Sequence, residues 1–120
     1  MAHILIVDDS PTERHFLKTV LIESGYQISL AENGEQGIEM AKSILPDLIL
    51  MDVVMPGMNG FQATRCLTTS PDTANIPVLM VSTKSDQTDQ VWATRQGAKA
   101  YITKPVDGDS LLESVKHYLV

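Results

Sequence analysis

Leu48-Ile49-Leu50-Met51 runs straight into Asp52, and the chain opens with the same arrangement, where Ile4-Leu5-Ile6-Val7 gives way to Asp8 and Asp9. A third continuous apolar run, Val78–Val81, ends at Ser82-Thr83. None of the three alternates with polar residues. Each therefore reads as a strand covered on both faces, the condition of a parallel sheet between two helix layers. Ile28–Ala31 and a weaker run at Ala100–Thr103 add two more strands, the last followed by Lys104. The stretches between have helical spacing with start and stop signals. Ser10-Pro11 opens the first, which carries Phe16, Leu17, Val20 and Leu21 and is stopped by Gly25. Asn33-Gly34 opens the second, with Ile38, Met40 and Ala41 before Pro46. Asn59 caps a third from about Gly60 to Thr69. The fourth runs from about Asp86 to Gln96 and is stopped by Gly97, and the fifth begins near Asp109. Five strands alternating with five helices make an α/β fold with a doubly wound open sheet, whose ligands sit outside the carboxyl ends of the strands.

Composition narrows the class further. The 120 residues are one domain's worth of chain, read as a single unit over residues 1–120 with the last helix reaching the C-terminus. The hydrophobic fraction of 43% and charged fraction of 20% are those of an ordinary globular protein, which excludes collagen, coiled coil and disorder. No apolar run approaches the roughly 18 residues of a membrane span, and the N-terminus lacks the basic region of a signal peptide. Cys66 is the single cysteine; it reads as a packing residue and fits a reducing cytoplasm. Nine basic against fifteen acidic residues give a net charge of −6, the wrong sign for coating nucleic acid. His3, His15 and His117 fit no ligand spacing. Gly37, inside the second helix, is expected to weaken it by up to about 1 kcal/mol relative to alanine.

The chemistry lies where polar residues interrupt the apolar runs. Asp8, Asp9, Asp52, Ser82 and Lys104 all fall at carboxyl ends of strands, so the fold gathers them on one edge. Taken singly, an acid at a strand end is a turn residue or helix cap, Ser82 a cap and Lys104 a solvated charge. Their convergence is what points to a site. Three adjacent carboxylates repel unless a cation joins them, and hard oxygen ligands with open positions suit Mg²⁺. A nucleophilic carboxylate, a divalent ion, a lysine and a hydroxyl together suit phosphoryl transfer to an aspartate.

Val7-Asp8-Asp9-Ser10, the run from Leu50 through Asp52, Pro56 and Gly57 to Gly60, Val81-Ser82 and Lys104-Pro105 together resemble the receiver domains of two-component response regulators. The resemblance covers essentially the whole chain. It implies a flavodoxin-like (βα)5 sheet of strand order 2-1-3-4-5. It also implies that Asp52 takes a phosphoryl group from a histidine kinase, with Lys104 and Ser82 around it. Asp9, Asp52 and the Val54 carbonyl would hold Mg²⁺, for which Mn²⁺ can substitute, and Asp8 would act through water. Tyr101 matches the aromatic that turns inward when the hydroxyl moves, and the Lys104–Pro105 bond would be cis. Such a chain is a phosphoacceptor rather than an enzyme in the ordinary sense, and it is expected to act as a monomer.

Asp9-Ser10-Pro11-Thr12-Glu13, Asn59–Arg65 and Val91–Ala98 resemble, more narrowly, the stand-alone PilH-like regulators of type IV pilus twitching motility. The output face implied is built from the fourth helix, fifth strand and fifth helix. Helical spacing turns Val91 toward the core, gives Trp92 a half-buried packing role, and leaves Gln87, Gln90 and Thr94 outward. Leu112, Val115 and Leu119 face the core from the fifth helix, leaving His117 beside Tyr101. That neutral face lacks the lysines of flagellar-switch regulators, so a pilus-pathway partner is expected, with a phosphate sink for a shared kinase as the alternative. An aspartyl-phosphate phosphatase of the haloacid dehalogenase type needs a second acid where Val54 stands, and a flavodoxin-type carrier needs a phosphate loop where Asp8 and Asp9 would repel phosphate.

Overall fold

The computed structural model describes residues 1–119. Five strands, β1 (His3–Val7), β2 (Gln27–Ala31), β3 (Leu48–Asp52), β4 (Val78–Ser82) and β5 (Ala100–Thr103), form one parallel sheet in the order β2-β1-β3-β4-β5. They alternate with α1 (Pro11–Glu23), α2 (Gly34–Ile44), α3 (Gly60–Thr69), α4 (Gln87–Arg95) and α5 (Gly108–Tyr118). This is the doubly wound, flavodoxin-like (βα)5 arrangement. Among the described residues no helix is long and apolar enough to cross a membrane.

Alternate side chains of the central strands feed two cores. Ile4, Ile6, Leu48, Leu50, Leu79 and Val81 meet Leu17 and Leu21 of α1 and Leu111 and Val115 of α5. Leu5, Val7, Ile49, Met51, Val78 and Met80 meet Ala41 of α2, Ala63 and Leu67 of α3 and Ala93 of α4. The central strands are buried on both faces, whereas β2 and β5 lie at the edges and are only partly buried. That is why their apolar runs are weaker.

Helix starts follow side-chain capping. Ser10, Asn33 and Asp107 accept backbone N–H bonds from Glu13, Gln36 and Ser110, and Asn59 forms a reciprocal box with Gln62. The Asp107 cap starts α5 at Gly108, earlier than its apolar spacing suggested. The helix closes at Tyr118 with Leu119 as its cap residue, and its expected continuation to Val120 lies outside the described residues. β3 and β4 each run one residue further than their apolar runs, taking in Asp52 and Ser82, which pair with Val81 and Thr103. Strand hydrogen bonding thus extends into the polar residues of the site.

Several expectations need correction. Val91 is 45% exposed, not turned inward, because the residue that α4 buries is Ala93 and the helix is rotated accordingly. Trp92, by contrast, is half-buried as expected, 48% exposed, with the Arg95 guanidinium carbon 5.9 Å from its ring centroid. On α5 the fully buried pair is Leu111 and Val115, with Leu112 and Leu119 only partly covered. Gly37 is more than a weak helix residue. A Cβ there would come within 2.8 Å of Val7, so its absence is what lets α2 lie close on β1.

Candidate active site

The carboxyl ends of β1, β3, β4 and β5 bring Asp8, Asp9, Asp52, Ser82 and Lys104 to one edge of the sheet. Carboxylate oxygens of Asp8, Asp9 and Asp52 lie within 4.8 Å of one another. Asp8 and Asp52 are buried, and Asp9 is exposed at the mouth. Asp8 is tightly held: its Oδ1 accepts from the Ser10 N–H at 2.9 Å and its Oδ2 from Lys104 Nζ at 3.0 Å. Lys104 Nζ also reaches Asp52 Oδ1 at 3.3 Å. The lysine is positioned by its backbone, whose N–H donates to the Ser82 carbonyl at 2.8 Å, and the Lys104–Pro105 bond is cis.

One cation does not balance three acids. Burial of Asp52, reinforced by the neighbouring charges of Asp8 and Asp9, pushes its pKa up to about 7 although Lys104 pulls it down. Burial alone would lower the lysine, but its hydrogen bond to Asp8 and the charges of Asp52 and Asp8 hold it above the usual range. The cluster therefore lacks positive charge. Clustered hard oxygens with one exposed carboxylate are the donor set a small divalent ion takes, so the residues present fit Mg²⁺.

Ser82 is fully buried, and its Oγ accepts from the Lys84 N–H at 3.0 Å. Tyr101 is half-buried, and its hydroxyl donates to the Lys84 carbonyl at 2.7 Å. The two side chains thus grip opposite ends of one peptide segment. Val54 is 54% exposed, projecting beside the site from a loop pinned by buried Val53 and Met55. Gln87, Gln90 and Thr94 are exposed on α4, and exposed His117 packs edge-on against Tyr118, with ring centroids 4.7 Å apart.

Two residues have supporting roles beyond those expected from the sequence. Arg14 donates from Nη1 to the Asp8 carbonyl at 2.6 Å while its Nη2 lies 3.6 Å from Glu32, so it ties α1 and the end of β2 to the acidic turn. Its position one turn into a capped helix was the available signal. Gly60 is the second. A Cβ there would collide with the Asp52 carbonyl, and its N–H donates to the Val53 carbonyl at 2.8 Å. Only glycine allows α3 to begin against the backbone of Asp52.

The response regulator receiver domain profile matches residues 4–116. The chain belongs to this family. Among receiver proteins, it is 54% identical to protein PilH of Pseudomonas aeruginosa, over 99% of this chain and 98% of that one. It is 38% identical to chemotaxis protein CheY of Bacillus subtilis, over 99% of each. A solved receiver domain of the sensor histidine kinase PA1611 from Pseudomonas aeruginosa, with a magnesium ion coordinated in its active site cleft, superposes with a TM-score of 0.91 at 25% identity. That match covers 98% of this chain and 97% of that one.

Proposed function

We propose that this receiver is a stand-alone response regulator that accepts a phosphoryl group on Asp52 from a histidine kinase and signals by protein contact in type IV pilus motility or a related chemotaxis-like pathway. The observation that carries the reading is Asp52 itself, buried at a strand end, 3.3 Å from Lys104 and clustered with Asp8 and Asp9. Similarity to PilH over nearly the full length of both chains supports the pathway.

In its ionised form Asp52 supplies the nucleophile. A carboxylate oxygen attacks phosphorus, the bond from phosphorus to the kinase's histidine nitrogen breaks, and that nitrogen keeps the electron pair. Lys104 sits where its ammonium can neutralise charge on the transferring oxygens. The Ser82 oxygen accepts from Lys84, which leaves its own O–H to donate to a phosphoryl oxygen. Asp9, Asp52 and the Val54 carbonyl, with Asp8 through water, are the groups to hold Mg²⁺ or Mn²⁺, which when bound supplies positive charge at the phosphoryl group.

Output follows from the shared segment. If Ser82 turns to the phosphoryl group, it releases the Lys84 N–H, and the carbonyl that holds Tyr101 shifts with it. Gln87, Gln90 and Thr94 on α4, with Tyr101 and His117, form the face that reads this change. The test is amide-shift mapping in the magnesium–beryllofluoride state, where the fluoride adduct on Asp52 stands in for the phosphoryl group. Shifts reaching Thr94 and Tyr101 support the output face. Shifts confined to the acidic edge refute it and favour a phosphate sink.

A further inference from the structure

We infer that the surface around Trp92, formed by the groove between α3 and α4 that holds Arg65 and by the adjoining flank of α4 that holds Arg95, docks an acidic, apolar-bearing peptide segment of a partner protein. The surface goes beyond the phosphorylation chemistry and stands independently of it.

The helix α4 buries Ala93 yet leaves Val91 and Trp92 roughly half exposed. Fully burying a large apolar side chain is worth about 1.5–3 kcal/mol, so an outward tryptophan beside an outward valine is unspent association energy. Tryptophan and arginine are also the residues most enriched among those that dominate binding energy. On the side of Trp92 that faces α3 lies a groove of about 430 Å³, lined by Asn59, Phe61, Gln62, Arg65, Trp92 and Gln96. Phe61 and Trp92 give it apolar walls, and no acid lines it. Gln90 and Thr94 lie on the other side of α4 by helical spacing, while Gln87, Thr88, Val91 and Arg95 line a second concavity on the opposite flank of Trp92.

The groove is pre-formed. Thr68 Oγ1 donates to the Gln96 carbonyl at 2.6 Å, tying the end of α3 to the end of α4. The reciprocal Asn59–Gln62 bonds, at 3.0 and 2.9 Å, fix its other end. The backbone frame needs no ordering on binding, which leaves chiefly the Arg65 and Arg95 side chains to be immobilised.

Charge selects the occupant. The chain carries −6 overall, yet α3 contains no acid and its single charged residue is Arg65. Arg65 and Arg95 are both exposed and neither forms an ion pair among the described residues, unlike Arg14 and Lys104. The Arg95 guanidinium carbon lies over the Trp92 ring, 5.9 Å from its centroid, and with no ion pair of its own its N–H groups are free to grip a carboxylate. A local basic, aromatic patch on an otherwise anionic protein fits a short acidic segment. It does not fit a nucleic acid, whose extended charge the rest of the surface repels.

Trp92 is the sole tryptophan, so its emission reports the groove directly. The full chain would be titrated with a tryptophan-free synthetic peptide of alternating Glu or Asp and Leu or Phe, against the same peptide with Lys in place of the acids. The acidic peptide should shift the emission saturably. Arg65→Gln and Arg95→Gln should each weaken binding about tenfold, as loss of a charge-assisted pair does, while still taking phosphate from acetyl phosphate as proof of folding. Asp52→Asn should bind the peptide as the parent does, which separates this test from that of the phosphorylation site. No saturable change at millimolar peptide, an equal response to the lysine peptide, or unchanged affinity in both arginine variants overturns the inference. Emission that changes with protein concentration alone, together with a dimer in sedimentation, also overturns it and assigns the groove to a second copy of the chain.

Discussion

Replacing Asp52 with asparagine should stabilise the metal-free protein, and the gain should depend on pH in a way the site dictates. In the folded chain the Asp52 carboxyl titrates at about 7, against 3.8 for an ordinary aspartate. At about 1.4 kcal/mol per tenfold change, that gap corresponds to about 4 kcal/mol as an upper bound. Solvent at the mouth of the site brings the expected value to about 2 kcal/mol. The sign follows from proton counting. Between about pH 4 and 7 the folded state keeps a proton that the unfolded chain has lost, so stability falls as pH rises through that window. An asparagine side chain in its place has no carboxyl proton to lose. The advantage of Asp52→Asn should therefore be full at about pH 8 and, for a gain of about 2 kcal/mol, shrink to about half of that at about pH 4.5. Urea unfolding in EDTA at the two pH values measures it. A variant no more stable than the parent at pH 8, or an advantage independent of pH, would refute the reading of Asp52 as a buried carboxylate crowded by Asp8 and Asp9.

Three further outcomes follow from the same geometry. Mg²⁺ at a hundred times its dissociation constant should stabilise the parent by about 2.7 kcal/mol, and Asp9→Ala should remove most of that gain in a thermal melt. Val54 is exposed beside the acceptor and cannot orient water, so Val54→Asn should speed loss of the phosphoryl group by up to about 10²-fold, read by the decay of the phosphorylated mass. Gly60→Ala forces a Cβ into the Asp52 carbonyl and should cost about 1–3 kcal/mol or more while slowing phosphorylation, whereas an unperturbed alanine variant would contradict the packing described.

The central strands were legible because burial on both faces leaves a signal that needs no partner to decode. Ile4–Val7, Leu48–Met51 and Val78–Val81 can be nothing but continuous when both sides are covered. The edge strands were fainter for the converse reason. The site was legible since polar residues stood where those runs ended, and the parallel fold alone collects such ends. The orientation of α4 was not legible. Its apolar residues do not share one face, and the small Ala93, rather than Val91 or Trp92, is what fits against the sheet. Gly60 and Gly37 were invisible as requirements because the atoms that exclude a side chain, the Asp52 carbonyl and the Val7 methyls, are distant in sequence. Arg14 was missed because its partner is a backbone carbonyl, which no residue type announces.

The claim on which the rest depends is that Asp52 carries the phosphoryl group, and locating that group tests it most directly. The chain would be treated with acetyl phosphate and Mg²⁺, then reduced with borohydride, which converts an aspartyl phosphate to homoserine and leaves a free aspartate untouched. Peptide mass spectrometry should find homoserine at position 52, none at Asp8 or Asp9, and no product when Mg²⁺ is withheld. Homoserine at either of those other positions, or a phosphorylated chain in which Asp52 remains unreduced, would contradict the account.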